Sequence, residues 1–144
     1  MMRRLTILAA LGAALIAQPA LAEIGRVKSS VGDVSILRGG KPVTVTPGVK
    51  LEQGDILRTG KTGRVGVTFL DETRFALGPN STVSMSKFAY DRTRQTGEFE
   101  TRVDRGSLGV VSGRIAKSKR DAMRVRTPTS MLGVRGTKFV VEVK

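Results

Sequence analysis

A hydrophobic period of two runs through residues 64–86 and constrains the chain more than any other feature. Val65, Val67 and Phe69 share one parity, with Gly66 and Thr68 on the other. Phe75 and Leu77 resume the alternation after Asp71-Glu72, and Val83 and Met85 resume it after Gly78-Pro79-Asn80-Ser81. β-Branched and aromatic residues on one face of such a repeat predict three short strands in a half-buried antiparallel meander. Pro79 presets φ for the second position of a turn, and Asn80 tolerates the conformation that follows.

The rest of the body has the same character. Ile24 and Val27 open a first strand, and Gly32-Asp33 turns it into Val34-Ser35-Ile36-Leu37. Arg38-Gly39-Gly40-Lys41-Pro42 and Pro47-Gly48 bracket Val43 and Val45, and the latter pair predicts a type II turn. Val49, Leu51 and residues 56–59 follow before Gly60-Lys61-Thr62-Gly63. Turn signals recur roughly every eight to twelve residues or less, the spacing of a sandwich or barrel. Beyond residue 22 no window of more than a few residues carries a helical period. Val83 and Met85 are odd while Phe88 and Tyr90 are even, so a bulge or strand end is expected near Lys87. Residues 91–96 read as an exposed loop. Phe99, Thr101 and Val103 then alternate with charged residues, placing one face in the core and one in water.

The first 22 residues stand apart. Met1-Met2-Arg3-Arg4 is a short basic start, residues 5–17 are nearly all apolar, and Ala20-Leu21-Ala22 offers small residues to signal peptidase. The apolar run is shorter than the roughly 20 residues a helix needs to cross a bilayer. Residues 1–22 are therefore predicted to be a cleaved signal peptide and residues 23–144 a single domain that does not span the membrane. The expected location is the periplasm.

Residue types then limit the chemistry. The chain of 144 residues contains no Cys, His or Trp. No Cys staples the fold, so a hydrophobic core must hold it. Ser-His-Asp and Cys-His nucleophile pairs are excluded, as is a His/Cys zinc site. Asp33, Asp55 and Asp71 are the carboxylates a hydrolase could use, but all three sit at turns, where Asp serves the backbone. Glu98 and Glu100 would lie about 7 Å apart along a strand, and a solvated face explains them better than a catalytic pair. Gly54 to Thr62 resembles a phosphate-binding loop, but five residues separate its glycines where the motif needs four. Asn80-Ser81-Thr82 fits a glycosylation sequon, although the turn already accounts for Asn80. The expectation is a non-enzymatic protein with no cofactor and no metal.

Charge is the remaining signal. With 25 basic against 12 acidic residues, the full chain carries +13. Arg114, Lys117, Lys119, Arg120, Arg124, Arg126, Arg135 and Lys138 face only Asp121 in their stretch of sequence. Parity puts Met123 and Val125 inward and Arg124 and Arg126 outward. Lys117, Lys119, Arg120, Arg124 and Arg126 are thus candidates for contact with an anionic partner, with plain solubility as the competing explanation. Export and the scarcity of aromatics argue against nucleic acid. An acidic glycan, a lipid headgroup or an acidic protein face fits better. Outward parity also predicts that reversing Lys119, Arg120, Arg124 and Arg126 would leave stability almost unchanged.

A faint repeat links Arg105-Gly106-Ser107-Leu108-Gly109-Val110-Val111 to Arg135-Gly136-Thr137-Lys138-Phe139-Val140-Val141, read as equivalent turns in two hairpins. The second copy closes Thr127-Pro128-Thr129-Ser130-Met131-Leu132-Gly133-Val134-Arg135-Gly136-Thr137, which resembles the T-P-x-x-x-x-G-[VI]-R-G-T ending of the FecR domain family. Gly32-Asp33-Val34, Gly54-Asp55-Ile56, residues 73–81, Arg105-Gly106-Ser107 and Gly113-Arg114-Ile115-Ala116-Lys117 extend the likeness across residues 23–144. Asp71-Glu72-Thr73 departs from the family's usual Asp-Gly-Ser or Asp-Gly-Thr. The resemblance implies an all-β, antiparallel, jelly-roll-like β-sandwich whose motif residues Thr127, Pro128, Gly133, Arg135, Gly136 and Thr137 are structural. It also implies a periplasmic module that contacts an envelope protein in signalling or organisation. Sigma-regulator members carry an anti-sigma segment and a membrane helix that this sequence does not show, so sigma-factor control is not carried over.

Overall fold

The computed structural model describes residues 22–136 and 138–144. Residues 1–21 of the leader and Thr137 of the C-terminal motif therefore lie outside the described residues. Twelve strands and one short helix follow in order. They are β1 (Glu23–Val31), β2 (Val34–Arg38), β3 (Lys41–Thr44), β4 (Lys50–Glu52), β5 (Ile56–Thr59) and β6 (Arg64–Phe69). Next come β7 (Arg74–Leu77), β8 (Thr82–Asp91), β9 (Thr96–Val111), α1 (Arg114–Ser118), β10 (Met123–Arg126), β11 (Met131–Val134) and β12 (Lys138–Val143). The chain is all-β and mainly antiparallel, curled into a half-barrel. It is described by its strand order rather than as a jelly roll.

β9, 16 residues long, joins two wings. Its first half pairs antiparallel with β8, through Phe88 opposite Phe99 and Met85 opposite Thr101. On its other side that half takes β10 in parallel, Met123 opposite Phe99 and Arg126 opposite Arg102. Its second half pairs with β7 and β12, Leu77 and Val141 both lying opposite Leu108. The first wing continues through β8 to β5, β2 and β3, and the second through β7 to β6, β1 and β4.

The changeover falls at Arg105-Gly106. Gly106 has φ +89, and a Cβ there would lie 2.3 Å from the Ser81 hydroxyl, so only glycine lets the two segments pass. Ser81 closes the crossing from the other side. Its Oγ accepts from the Ser107 N–H at 3.0 Å and lies 2.9 Å from the Gly78 carbonyl oxygen, to which it donates. Thr59 completes the knot, donating to the Gly78 carbonyl at 2.6 Å and accepting from the Ser81 N–H at 2.9 Å. The G-P-N-S and R-G-S pieces of the sequence thus meet in one place.

The alternation seen in the sequence is the core. Val65, Val67, Phe69, Phe75, Leu77, Val83, Met85, Phe99, Val103, Met123 and Val125 are all buried. Phe69, Phe75, Phe88 and Phe99 pack as one aromatic cluster, with ring centroids 4.7 Å apart for Phe69–Phe99 and 4.9 Å for Phe88–Phe99. The register of β8 slips between Met85 and Lys87, where the parity change predicts a bulge, and that slip turns Phe88 inward. Gly48 at φ +95 and Asn80 at φ +52 match the expected turns.

Four expectations are corrected. β6 and β7 form a hairpin, but β8 pairs with β5 and β9 instead of completing a meander. The knot at Ser81 sends the chain to the other wing. The two repeat copies are not turns of separate hairpins: the first lies within β9, and the apolar halves pair with each other, Val110 opposite Phe139. The β9–β10 pair is parallel, because α1 lies between the strands and brings the chain back to the end where β9 began. α1 itself, five residues long, is too short to register as a helical period.

Candidate functional site

Helix α1 starts the basic stretch, and the β6–β7 turn holds it. Asp71 is fully buried. Its carboxylate accepts from the Thr73 N–H at 3.1 Å, the Thr73 hydroxyl at 2.7 Å and the Ile115 N–H at 3.2 Å. Its carbonyl accepts from the Arg114 N–H at 2.8 Å, and the Gly113 N–H reaches Thr73 Oγ1 at 3.1 Å. Gly113 itself supplies no capping side chain. The β6–β7 turn therefore takes the first free amides of the helix, Arg114 N–H on the Asp71 carbonyl and Ile115 N–H on its carboxylate, the latter a charge-assisted bond. Glu72 occupies φ +72, a left-handed position that suits glycine, and this is where the sequence departs from the family's Asp-Gly pattern. Glu72 also lies 3.3 Å from Arg114.

Lys117 in the last turn of α1, and Lys119 and Arg120 just beyond it, are exposed, and none of them enters an ion pair among the described residues. Arg124 and Arg126 face outward on β10, as parity predicts, but they are not free. The parallel register sets Arg124 beside Glu100 of β9. Arg124 reaches Glu100 Oε2 at 3.2 Å, and Arg126 donates to Oε1 of the same carboxylate. Burial pushes the Glu100 carboxyl up, yet the hydrogen bonds from Arg124 and Arg126 outweigh it and hold the group below the usual carboxylate value. Glu98, one outward position away, is lowered by its hydrogen bond from Lys87.

The basic ridge is accordingly shorter than the sequence implies. Its free part is Lys117, Lys119 and Arg120. Glu100 side-chain exposure is only 17%, so replacing Arg124 and Arg126 would strand a shielded carboxylate. The expectation that the fourfold reversal leaves stability untouched is therefore withdrawn. The missing information was the pairing of two strands some two dozen residues apart, which no local pattern encodes.

Thr127, Gly133 and Gly136 each serve a separate local feature of the backbone. Thr127 and Ser130 close the β10–β11 turn around Pro128, the Ser130 N–H reaching Thr127 Oγ1 at 3.0 Å. A Cβ on Gly133 would fall 2.2 Å from Asp121 Oδ1, so glycine there makes room for that carboxylate. Gly136, at φ +64, follows Arg135 and redirects the chain toward β12.

The three turn carboxylates are not gathered into one site. Asp55, fully buried, receives two 2.9 Å bonds from Arg38 and one from the Glu52 N–H. That hydrogen bond to Asp55 raises the Arg38 pKa. Asp33 is exposed and packs against Gly60, where a Cβ would meet its Oδ2 at 2.2 Å. Among the described residues no cluster of three carboxylates could hold a metal ion, and no helix is long and apolar enough to cross a membrane.

Two clefts flank these elements. One, of about 760 Å³, opens between the β10–β11 hairpin and β12. The other, of about 720 Å³, lies where the β6–β7 turn, the β8–β9 turn and α1 converge.

A curled β domain with its motif residues in turns and crossings, and its buried carboxylates holding backbone amides and an arginine, is the class that fold and site define. The chain belongs to the FecR family. Residues 55–144 match the family described as FecR protein, which is a signalling and regulatory one. The match starts within the β4–β5 turn, while β1 to β4 complete the same two wings. No curated protein and no solved structure matches the chain.

Proposed function

We propose that this FecR-family domain is a non-enzymatic interaction module of the periplasm that acts in envelope signalling or organisation. The family match over residues 55–144 carries the reading. The commitment of Asp55 and Asp71 to Arg38, to backbone amides and to Thr73 supports it, because neither carboxylate is left to act on a substrate. The leader Ala20-Leu21-Ala22 supports export, with the mature chain starting at Glu23. Cross-linking in the native host, followed by mass spectrometry of the periplasmic fraction, tests all of this. The expected result is a chain beginning at Glu23 and linked to one envelope protein. An intact Met1 form, or a protein recovered only unlinked, would count against it.

A second reading rests on the exposed, unpaired cations at the end of α1 and just after it. Lys117, Lys119 and Arg120 would attract an anionic envelope glycan or lipid headgroup, with Arg124 and Arg126 behind them already holding Glu100. The triple change of Lys117, Lys119 and Arg120 to Glu should abolish capture of such a partner and leave folding intact, since exposed charges contribute little to stability. Capture should also weaken as salt rises, because the screening length falls from about 10 Å at 0.1 M to about 3 Å at 1 M. A triple variant that still captures the same partner at 0.15 M salt reduces the ridge to a solubility feature.

A further inference from the structure

The cleft beside α1 is rich in cations and in neutral hydrogen-bonding groups. Arg74, Arg94, Arg114 and Lys117 line it, and Glu72 is its one acidic residue. Glu72 lies 3.3 Å from Arg114, and Asp91 lies 4.0 Å from Arg94 at the rim. Arg74 and Lys117 have no carboxylate partner among the described residues. Positive charge is therefore concentrated in a concave site, where it acts more strongly on an anion than the same charge spread over a convex face.

A second observation points to a missing partner. Ser112, at the end of β9, is 8% exposed and lines this cleft. Its Oγ makes no hydrogen bond, and it is the one buried side-chain atom so left among the described residues. Buried hydroxyls are almost always satisfied, and an orphan asks for a water, an ion or a ligand. Arg74 stands directly opposite Val111 at the end of the β7–β9 ladder, so a cation and the residue that carries the unpartnered hydroxyl line the cleft from one end of that strand pair.

We propose that this cleft binds a phosphoryl group carried by a saccharide-sized molecule. Guanidinium forks match phosphate oxygens, and a doubly charged phosphomonoester answers this excess of cations better than one carboxylate does. The cleft, at about 720 Å³, has far more room than phosphate alone fills, and it falls in the usual range of small-molecule sites, roughly 300–1,000 Å³. The additional lining suits a sugar: Thr68, Gln95 and Thr96 offer neutral hydrogen-bonding groups, with Val111 as an apolar contact. Apart from Lys117, the site is independent of the ridge that follows α1.

Amide NMR titration of the protein with glucose 1-phosphate tests the assignment. Glucose, inorganic phosphate, glucuronate and vesicles of phosphatidylglycerol are the comparison ligands. Glucose 1-phosphate should shift the amides of Gln95, Ser112 and Gly113 at lower concentration than phosphate or glucuronate, and glucose should shift none. Arg74→Gln and Ser112→Ala should each weaken binding about tenfold or more, the effect of losing a hydrogen bond to a charged group. Lys61→Gln, in the exposed β5–β6 turn away from the cleft, should leave affinity unchanged. An absence of shifts at millimolar glucose 1-phosphate overturns the proposal, as does unaltered binding by Arg74→Gln. Unaltered binding by Ser112→Ala overturns it likewise, since the orphan hydroxyl is one of the two observations that point to a ligand here. Binding to phosphatidylglycerol vesicles without binding to the sugar phosphate overturns the saccharide carrier.

Discussion

Asp71 shows how much one side chain can organise. It sits in a two-strand turn, yet its acceptors define where α1 begins, more than forty residues further along. Asp71→Ala would leave the Thr73 N–H, the Thr73 hydroxyl and the Ile115 N–H buried without that acceptor, at about 1–3 kcal/mol for each group stranded. Urea unfolding should therefore show a loss of about 3 kcal/mol or more, and a cost under about 1 kcal/mol would mean that the turn does not hold the helix. Glu100 gives a different signal, one that depends on pH. Its folded pKa is lowered, so its contribution is complete above the unfolded value and is lost as pH falls through the folded one. Glu100→Gln should flatten the decline in the urea midpoint between about pH 5 and pH 2, the window below the ordinary carboxylate value. Identical acid limbs in the two proteins would show that the Arg124 and Arg126 contacts carry no net stabilisation. Asp71 was legible as a turn residue, because Asp before a short polar turn is a local signal. Its second role was not, since nothing near Gly113 says that a cap will arrive from another hairpin.

At the scale of elements, period-two patterning identified nearly every strand and the β8 bulge, because inward parity is a property of each strand alone. Pairing partners are another matter. The parting of β7 from β8 falls where Gly106 and Ser81 cross closely, and the parallel β9–β10 contact depends on the return through α1; the sequence shows the first only as ordinary turn residues and the second not at all. The two aromatic positions on β9 and β12 separate these levels. Both point inward by parity, but Phe99 is fully buried whereas Phe139 is only partly so on an edge strand. Phe99→Ala should cost about 3–5 kcal/mol, and Phe139→Ala about 1–2 kcal/mol in proportion to the smaller apolar area removed from water. Thermal or urea unfolding that ranks the two equally would place β12 deeper in the fold than the structure does.

For the whole molecule, the decisive fact is that one strand serves both wings. Neither wing keeps its own boundary when β9 lets go: the first loses its join to β10 and β11, the second its join to β12. The four clustered phenyl rings also straddle that strand, with Phe88 and Phe99 contributed from one wing and Phe69 and Phe75 from the other. No half of this protein can melt while the other half persists, so denaturation is an all-or-none event. Tyr90, the one tyrosine in a chain without tryptophan, reports from the first wing alone. Its fluorescence and the far-ultraviolet dichroism of the whole backbone should trace a single superimposable curve. Two separated transitions would reveal wings that can come apart. A protease that depends on local opening would find footing at the outermost strands β3 and β11, while amides near Phe99 and Leu108 would exchange with solvent only when the entire chain lets go.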